Sequence, residues 1–122
     1  GSRDTASSRK MREALELIWD RYPDLEVDGE MHGDSALSVD LRERVMPDSK
    51  LTGEANLLLF PNLDAANIAH NLLKVATQAL HVGPIMLGAD KPAHILTPSV
   101  TSRGVVNMSA LASVEAQTKA AE

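Results

Sequence analysis

Apolar residues recur at helical spacing in four parts of the chain. Between residues 11 and 22 they are spaced by three and four, as in an amphipathic helix: Met11, Ala14, Leu15, Ile18, Trp19 and Tyr22. Ser7 or Ser8 is the predicted N-cap, and Pro23 ends this helix. The same kind of pattern predicts helices over residues 34–45, after an N-cap at Asn62, and after an N-cap at Thr101 or Ser102.

Short apolar runs between these helices predict β-strands. Leu25 and Val27 alternate with Glu26 and Asp28, which predicts a short, half-buried strand. Three other runs are almost wholly apolar: residues 55–60 (ANLLLF), 82–87 and 93–96. Strands buried on both faces occur mainly in parallel sheets with helical crossovers. The sequence therefore predicts an α/β fold with three layers and a mostly parallel sheet. Four helices supply little more than minimum cover for such a sheet, so the chain is expected to be part of a larger domain.

The two ends of the chain are small and polar. Residues 1–10 are expected to be a flexible lead-in, and residues 117–122 a frayed tail. No internal repeat or long linker divides residues 1–122, so they are predicted to belong to one domain.

Composition excludes several classes of protein. The 122 residues are 43% hydrophobic and include only three aromatic residues, too few for a stacking platform for single-stranded nucleic acid. A net charge of −5 argues against binding to a phosphate backbone. The absence of cysteine removes thiolate chemistry and suits a cytoplasmic protein, and no apolar run is long enough for a membrane span.

One acidic cluster is a weak candidate for a metal site. Glu26, Asp28, Glu30 and Asp34 surround His32, and carboxylates with an imidazole can bind a divalent ion. Period-two alternation also explains these residues as the solvated face of a strand, which is the favoured interpretation. The four histidines lack the spacing of a zinc site and are predicted to be exposed or hydrogen-bonded in the core. No metal site is predicted.

Two loops are the strongest candidates for ligand binding, because each leads from a predicted strand into a helix. In α/β sheets ligands bind at such carboxyl ends, where helix N-termini present unpaired amides. Asn62 and Asn67 belong to the first loop, and the second, after Gly88, supplies Lys91, Thr97, Ser99 and Arg103. Lys91 and Arg103 offer positive charge for phosphate groups. The alternative is that Asn62 is only an N-cap and Lys91 a solvated turn residue.

At these loops the sequence resembles the C-terminal part of the phosphate acetyltransferase family. The resemblance spans residues 9–117 and rests on short motifs in a fixed order: VDGEM (27–31), MPDS (46–49), FPNLDAAN (60–67), GPI (83–85) and KP (91–92). It implies a two-subdomain α/β/α fold of the kind shared with isocitrate and isopropylmalate dehydrogenases. Active family members transfer acetyl between coenzyme A and phosphate.

The chain departs from this family at the groups that carry the chemistry. In active members a Ser-Arg-Gly stretch and a later aspartate follow the Lys-Pro turn. Aligned without gaps, those positions hold Thr97, Pro98 and Ser99, and the aspartate position holds Gly104. Proline has no charge and glycine no carboxylate, so the resemblance implies no catalytic residue in this chain.

The Leu-Thr-Pro loop and the VDGEMHGD stretch (27–34) resemble one subgroup, the phosphate acetyltransferase-like domain of large bacterial malic enzymes. The resemblance implies a parent that decarboxylates malate oxidatively with NAD(P) and Mg²⁺ or Mn²⁺, at residues outside this chain. It also implies a domain that serves oligomer assembly and binds acetyl-CoA as an effector. Lys91 and Arg103 are then candidates for the phosphates of coenzyme A, and Asn62 and Thr97 for neutral hydrogen bonds. The alternatives are an active phosphate acetyltransferase or a stand-alone binding module.

Overall fold

The computed structural model describes residues 3–119. Within this range the chain forms five helices and no β-strand: α1 (Ala6–Arg21), α2 (Gly33–Leu37), α3 (Val39–Val45), α4 (Leu63–Thr77) and α5 (Ser102–Lys119). Residues up to Leu72 form one compact unit, and residues from Leu73 onward form another. None of the helices in the described range combines the length and apolar character needed to cross a bilayer.

Helix α1 is confirmed, but it begins earlier than the sequence predicted. Its N-cap is Thr5, whose hydroxyl accepts a hydrogen bond from Ser8 N at 3.1 Å, while Ser8 Oγ accepts one from Thr5 N at 2.9 Å. This reciprocal capping box satisfies two otherwise unpaired amides. The predicted N-cap at Ser7 or Ser8 was therefore wrong, and residues 6–10 are helical. Gly1 and Ser2 lie outside the described residues.

The predicted single helix over residues 34–45 is two helices. They separate at Ser38, which is extended (φ −130°, ψ 110°) and whose hydroxyl accepts a hydrogen bond from Leu41 N at 3.3 Å. A serine side chain that bonds the backbone two or three residues ahead competes with helix continuation. Helix α2 packs against α3 across this break.

Arg42 of α3 holds this part of the first unit together. Its side chain is only 2% exposed, and its guanidinium donates to four backbone carbonyls. The acceptors are Ser35 O (3.1 Å), Ala36 O (3.4 Å), Leu51 O (3.4 Å) and Gly53 O (2.6 Å). The buried guanidinium of Arg42 thus links the carbonyls of α2 to those of the turn after α3.

The predicted N-caps of the two long C-terminal helices are confirmed. Asn62 Oδ1 accepts a hydrogen bond from Ala65 N at 2.9 Å, and Thr101 Oγ1 accepts one from Gly104 N at 3.1 Å. Helix α5 continues to Lys119, so residues 117–119 are helical where fraying was expected. The remainder of the expected tail, residues 120–122, lies outside the described range.

The predicted strand segments are neither helical nor paired into a sheet within residues 3–119. Their apolar side chains are largely exposed, with Leu57 at 72%, Leu87 at 81% and Ile95 at 68%. Buried apolar residues in the described range are few: Leu15, Ala36 and Met108. Strand pairing requires a neighbouring strand and cover on each apolar face, and these segments have neither. The predicted sheet is therefore unconfirmed.

Candidate functional site

The second unit contains a cavity of about 530 Å³ beside the N-terminus of α5. This volume lies within the range of small-molecule pockets, roughly 300–1,000 Å³. The cavity is bounded by the end of α4, residues 79–84, the loop before α5 and the first two turns of α5. Its polar lining comes from these residues: Lys74, Gln78, His81, Thr97, Ser99, Thr101, Arg103 and Asn107.

The loop that precedes α5 contains a turn with Pro98 at its second position. Val100 N donates to Thr97 O at 3.0 Å, so residues 97–100 form a hydrogen-bonded turn with Pro98 at its second position. Proline favours that position because its ring presets φ. The hydroxyls of Thr97 and Ser99 hydrogen-bond to each other at 3.0 Å on this turn. The geometry therefore places two hydroxyls and the start of a helix on one wall of the cavity.

The cavity is positively charged. Lys74 is half-buried and Arg103 is exposed at its edge, and no Asp or Glu is found among the described residues that line it. In the described part of the chain, neither cation forms an ion pair or a side-chain hydrogen bond. The N-terminus of α5 adds the positive end of a helix dipole. An anionic ligand would find positive charge here and no acidic side chain.

The structure brings together three of the six residues that the sequence nominated. Thr97, Ser99 and Arg103 all line the large cavity. Lys91 instead lines a second cavity of about 340 Å³, with Met86, Pro92 and Glu115 among its neighbours.

The two nominated asparagines belong to the first unit. Asn62 caps α4, as its structural alternative predicted, and Asn67 is an exposed residue within that helix. Neither asparagine is a lining residue of the cavity in the second unit.

Sequence reasoning missed Lys74, His81 and Asn107 as cavity residues. Asn107 follows Arg103 by four positions in α5, so helical spacing could have found it. Lys74 lies in the last turn of α4, where a basic residue is expected to interact with the helix dipole and gives no sign of a ligand. No local signal distinguishes His81.

Gly104 is packed too closely to carry a side chain without rearrangement. A Cβ built on it would lie 2.8 Å from Val100 Cγ2, closer than carbon atoms approach in folded proteins. This is the position at which the family resemblance would place a catalytic aspartate. With Pro98 at the position of the guanidinium and Gly104 at that of the aspartate, this region lacks both groups, and any side chain at position 104 would require Val100 to shift.

The acidic cluster of the first unit has a structural role. Glu26 accepts hydrogen bonds from Thr52 N (2.6 Å) and Thr52 Oγ1 (3.0 Å), which lower the pKa of its carboxyl. Glu30 forms an ion pair with Arg12 at 2.8 Å. The carboxylates are therefore tied to neighbouring segments, where a solvated strand face was expected. Within residues 3–119, no three His, Cys, Asp or Glu side chains are grouped so that they could hold a metal ion.

His94 is a hydrogen-bonded core histidine, as its favoured interpretation predicted. Its side chain is only 4% exposed, and its Nδ1 accepts a hydrogen bond from Met86 N at 3.4 Å. The opposite nitrogen, Nε2, then carries the proton and donates to Glu115 on α5 at 3.1 Å. This contact ties residues 86 and 94 to α5 beside the second cavity.

Comparison with known proteins gives a consistent family assignment. A family model described as phosphate acetyl/butaryl transferase matches residues 1–113. The chain is 70% identical to the NAD-dependent malic enzyme of Rhizobium meliloti over 94% of the chain and 15% of that enzyme. It is 54% identical to the NADP-dependent malic enzyme of Escherichia coli over 98% of the chain and 16% of that enzyme. The chain thus spans about a sixth of the length of these relatives.

Phosphate acetyltransferases are also similar to the chain. The chain is 38% identical to the phosphate acetyltransferase of Paracoccus denitrificans over 94% of the chain and 36% of that enzyme. Among solved structures, the EutD phosphotransacetylase of Staphylococcus aureus superposes with a TM-score of 0.78 at 28% identity. The superposition covers 98% of the chain and 36% of that protein. The chain therefore shares its fold with part of a phosphotransacetylase.

Proposed function

The chain belongs to the phosphate acetyl/butaryl transferase family, and from that membership we propose that it is a non-catalytic regulatory and oligomerisation domain of a malic enzyme. Similarity to malic enzymes over nearly the whole chain and only 15–16% of their length supports a domain within a longer protein. The parent would oxidatively decarboxylate malate to pyruvate with NAD(P) and Mg²⁺ or Mn²⁺. The names of the two similar malic enzymes include both NAD and NADP dependence.

One observation carries the non-catalytic part of this proposal. The cavity persists beside α5, but Pro98 and Gly104 supply neither a cation nor a base, and Val100 fills the space that a residue 104 side chain would need. Acyl transfer to phosphate needs a cation to hold phosphate and a base to deprotonate the thiol. Lys74 and Arg103 keep positive charge in the cavity, but Pro98 and Gly104 stand where active family members carry the guanidinium and the aspartate, which favours binding of an acyl-CoA over its conversion.

The proposed ligand of the cavity is acetyl-CoA, acting as an allosteric effector. Thr97 and Ser99 would supply neutral hydrogen bonds and Arg103 a charged contact to phosphate. Lys91, Asn62 and Asn67 remain proposed ligand contacts from the sequence. An effector regulates an enzyme when it binds one of two states more tightly, and the population then shifts toward that state.

The complete domain is proposed to contain the three-layer arrangement with a parallel sheet. Residues 55–60, 82–87 and 93–96 would pair with strands contributed by the remainder of the domain, which would cover the apolar side chains now exposed, among them Leu57 and Leu87. The homologous region of a phosphotransacetylase is about a third of that protein, which leaves ample chain for such partners.

Isothermal titration of the full-length protein with acetyl-CoA tests the ligand, and malate oxidation assayed with and without acetyl-CoA tests regulation. We expect Arg103→Ala to weaken binding about tenfold or more, as loss of a charged hydrogen bond does. Arg21→Ala, an exposed cation at the end of α1, is the control and should bind as the wild type does. Absence of acetyl-CoA binding would refute the effector role.

The alternative function is an active phosphate acetyltransferase, which the similarity to the Paracoccus denitrificans enzyme favours. A coupled assay of acetyl-CoA formation from acetyl phosphate separates the two functions. Robust turnover by the full-length protein would overturn the non-catalytic proposal, whereas malate oxidation without acyl transfer would support it.

A further inference from the structure

We propose that Lys74 is an anion-binding residue of the large cavity and that it acts with Arg103 to hold a phosphate group of the ligand. This inference deepens the proposed acyl-CoA site and rests on it for the identity of the ligand. Neither the family resemblance nor the motifs of the sequence point to Lys74. This residue lines the cavity because the fold brings the end of α4 to it.

The first argument is the balance of charge. The chain as a whole is acidic, with 17 Asp and Glu against 12 Lys and Arg. The cavity reverses this balance, because Lys74 and Arg103 line it and no described lining residue is acidic. Such a local excess of positive charge selects an anionic ligand.

The second argument is the surroundings of Lys74. Its side chain is half-buried, and within residues 3–119 it has neither an ion pair nor a side-chain hydrogen bond. Partial removal of an ammonium from water costs free energy, which the dipole at the end of α4 offsets only in part. A bound anion would supply a counter-charge, and Arg103 on the same cavity would share it.

The remaining lining favours phosphate over a carboxylate as the bound group. A phosphate monoester carries a charge near −2 at pH 7 and has three acceptor oxygens. One hydroxyl of the Thr97–Ser99 pair, the amide of Asn107 and the start of α5 lie on the same cavity and can donate to those oxygens. Two cations and several neutral donors match a dianion with three acceptors. In an acyl-CoA the 3′-phosphate is such a monoester, and the pyrophosphate, a diester, offers a similar total charge spread over two phosphates.

Calorimetric titration of the full-length protein distinguishes these sources. The probes are acetyl-CoA, acetyl-dephospho-CoA, which lacks the 3′-phosphate, and inorganic pyrophosphate. We expect Lys74→Met to weaken acetyl-CoA binding by about 10- to 100-fold, because a charged hydrogen bond is lost. Lys74→Arg should restore most of the affinity, since it keeps the charge, and Arg21→Met should leave it unchanged. A loss confined to acetyl-CoA would assign Lys74 to the 3′-phosphate, and an equal loss for both thioesters would assign it to the pyrophosphate.

Unchanged affinity for every probe in Lys74→Met would overturn the inference, as would failure of Lys74→Arg to recover binding. The proposed function fails separately, if wild-type protein binds no acetyl-CoA. The pyrophosphate titration then decides on Lys74 alone. Pyrophosphate binding that Lys74→Met weakens would retain the anion site, and absence of pyrophosphate binding would remove it.

Discussion

The carboxylate of Asp28 accepts a hydrogen bond from the hydroxyl of Ser49 at 2.7 Å, across 21 residues of sequence. The same carboxylate accepts from Lys50 N at 2.9 Å and from Gly29 N at 2.8 Å. Lys50 Nζ in turn lies 3.5 Å from the ring centroid of Trp19, whose Nε1 donates to Val27 O at 3.1 Å. One carboxylate thus fastens the turn after α3 to the segment that follows α1.

Substitution of Asp28 by Asn is expected to destabilise the protein in a pH-dependent way. Burial raises the pKa of Asp28, but the bonds from Ser49, Lys50 and Gly29 outweigh burial and lower it. A lowered pKa stabilises the fold above the unfolded value of about 3.9, and this stabilisation is lost as the pH falls through the folded value. At pH 7 Asp28→Asn should lower the free energy of unfolding by about 1–3 kcal/mol.

Urea denaturation at pH 7 and at pH 3 measures this difference. The gap between wild type and Asp28→Asn should narrow at the lower pH, because Asp28 of the unfolded wild type takes up a proton there and the stabilisation from the lowered pKa declines. Asp48→Asn changes an exposed carboxylate next to Ser49 and should have little effect at either pH. A gap of the same size at both pH values would show that the charge of Asp28 is not what matters.

Arg42→Lys is expected to destabilise the first unit strongly although it keeps the charge. A lysine ammonium is a compact donor and cannot reach the carbonyls on both sides of the guanidinium, from Ser35 to Gly53. Buried carbonyls would lose their donors, at a cost of more than about 3 kcal/mol. Arg44→Lys, two positions away and exposed, should change stability by less than about 0.5 kcal/mol. Equal thermal denaturation midpoints for the two variants would contradict the role of Arg42.

Gly104→Ala is expected not to give the gain in stability that alanine usually brings to a helix. Replacing a helical glycine by alanine typically stabilises by up to about 1 kcal/mol. Here the new Cβ would meet Val100 Cγ2 at 2.8 Å, and overpacking costs about 1–3 kcal/mol. The double variant Gly104→Ala with Val100→Ala should recover part of the loss. Gly33→Ala is the control, because its Cβ would meet no atom within 4 Å, and thermal denaturation compares the three.

The 122-residue chain by itself is expected to associate in solution. Large apolar side chains such as Leu57 (72% exposed), Leu63 (73%) and Leu87 (81%) are uncovered. Extensive exposure of large apolar side chains promotes association. Light scattering at micromolar concentration should therefore report a dimer or larger species, and Leu57→Ser with Leu87→Ser should reduce its mass. A stable monomer would contradict this expectation and weaken the proposed role in oligomer assembly.

Local signals in the sequence predicted the three long helices and some of their ends. Pro23 follows the end of α1, Asn62 caps α4 and Thr101 caps α5, as their types and positions indicated. The order of short motifs also identified the family correctly. The break at Ser38 was missed because apolar residues keep helical spacing across it. Ser38 ends one helix and caps the next, but the hydrophobic pattern of the sequence does not change there.

The sequence by itself determined approximately where the three long helices lie, because capping and helical periodicity act within a few residues, and the order of its motifs determined the family. Only the tertiary structure decided that Arg42 is buried and that Lys91 lines a different cavity from Thr97. It also decided that Lys74 and Arg103, 29 positions apart, line the same cavity. Such contacts depend on the path of the chain between distant residues. The same reason leaves the sheet undetermined by pattern alone, since strand pairing is set by a partner strand that lies elsewhere in the sequence.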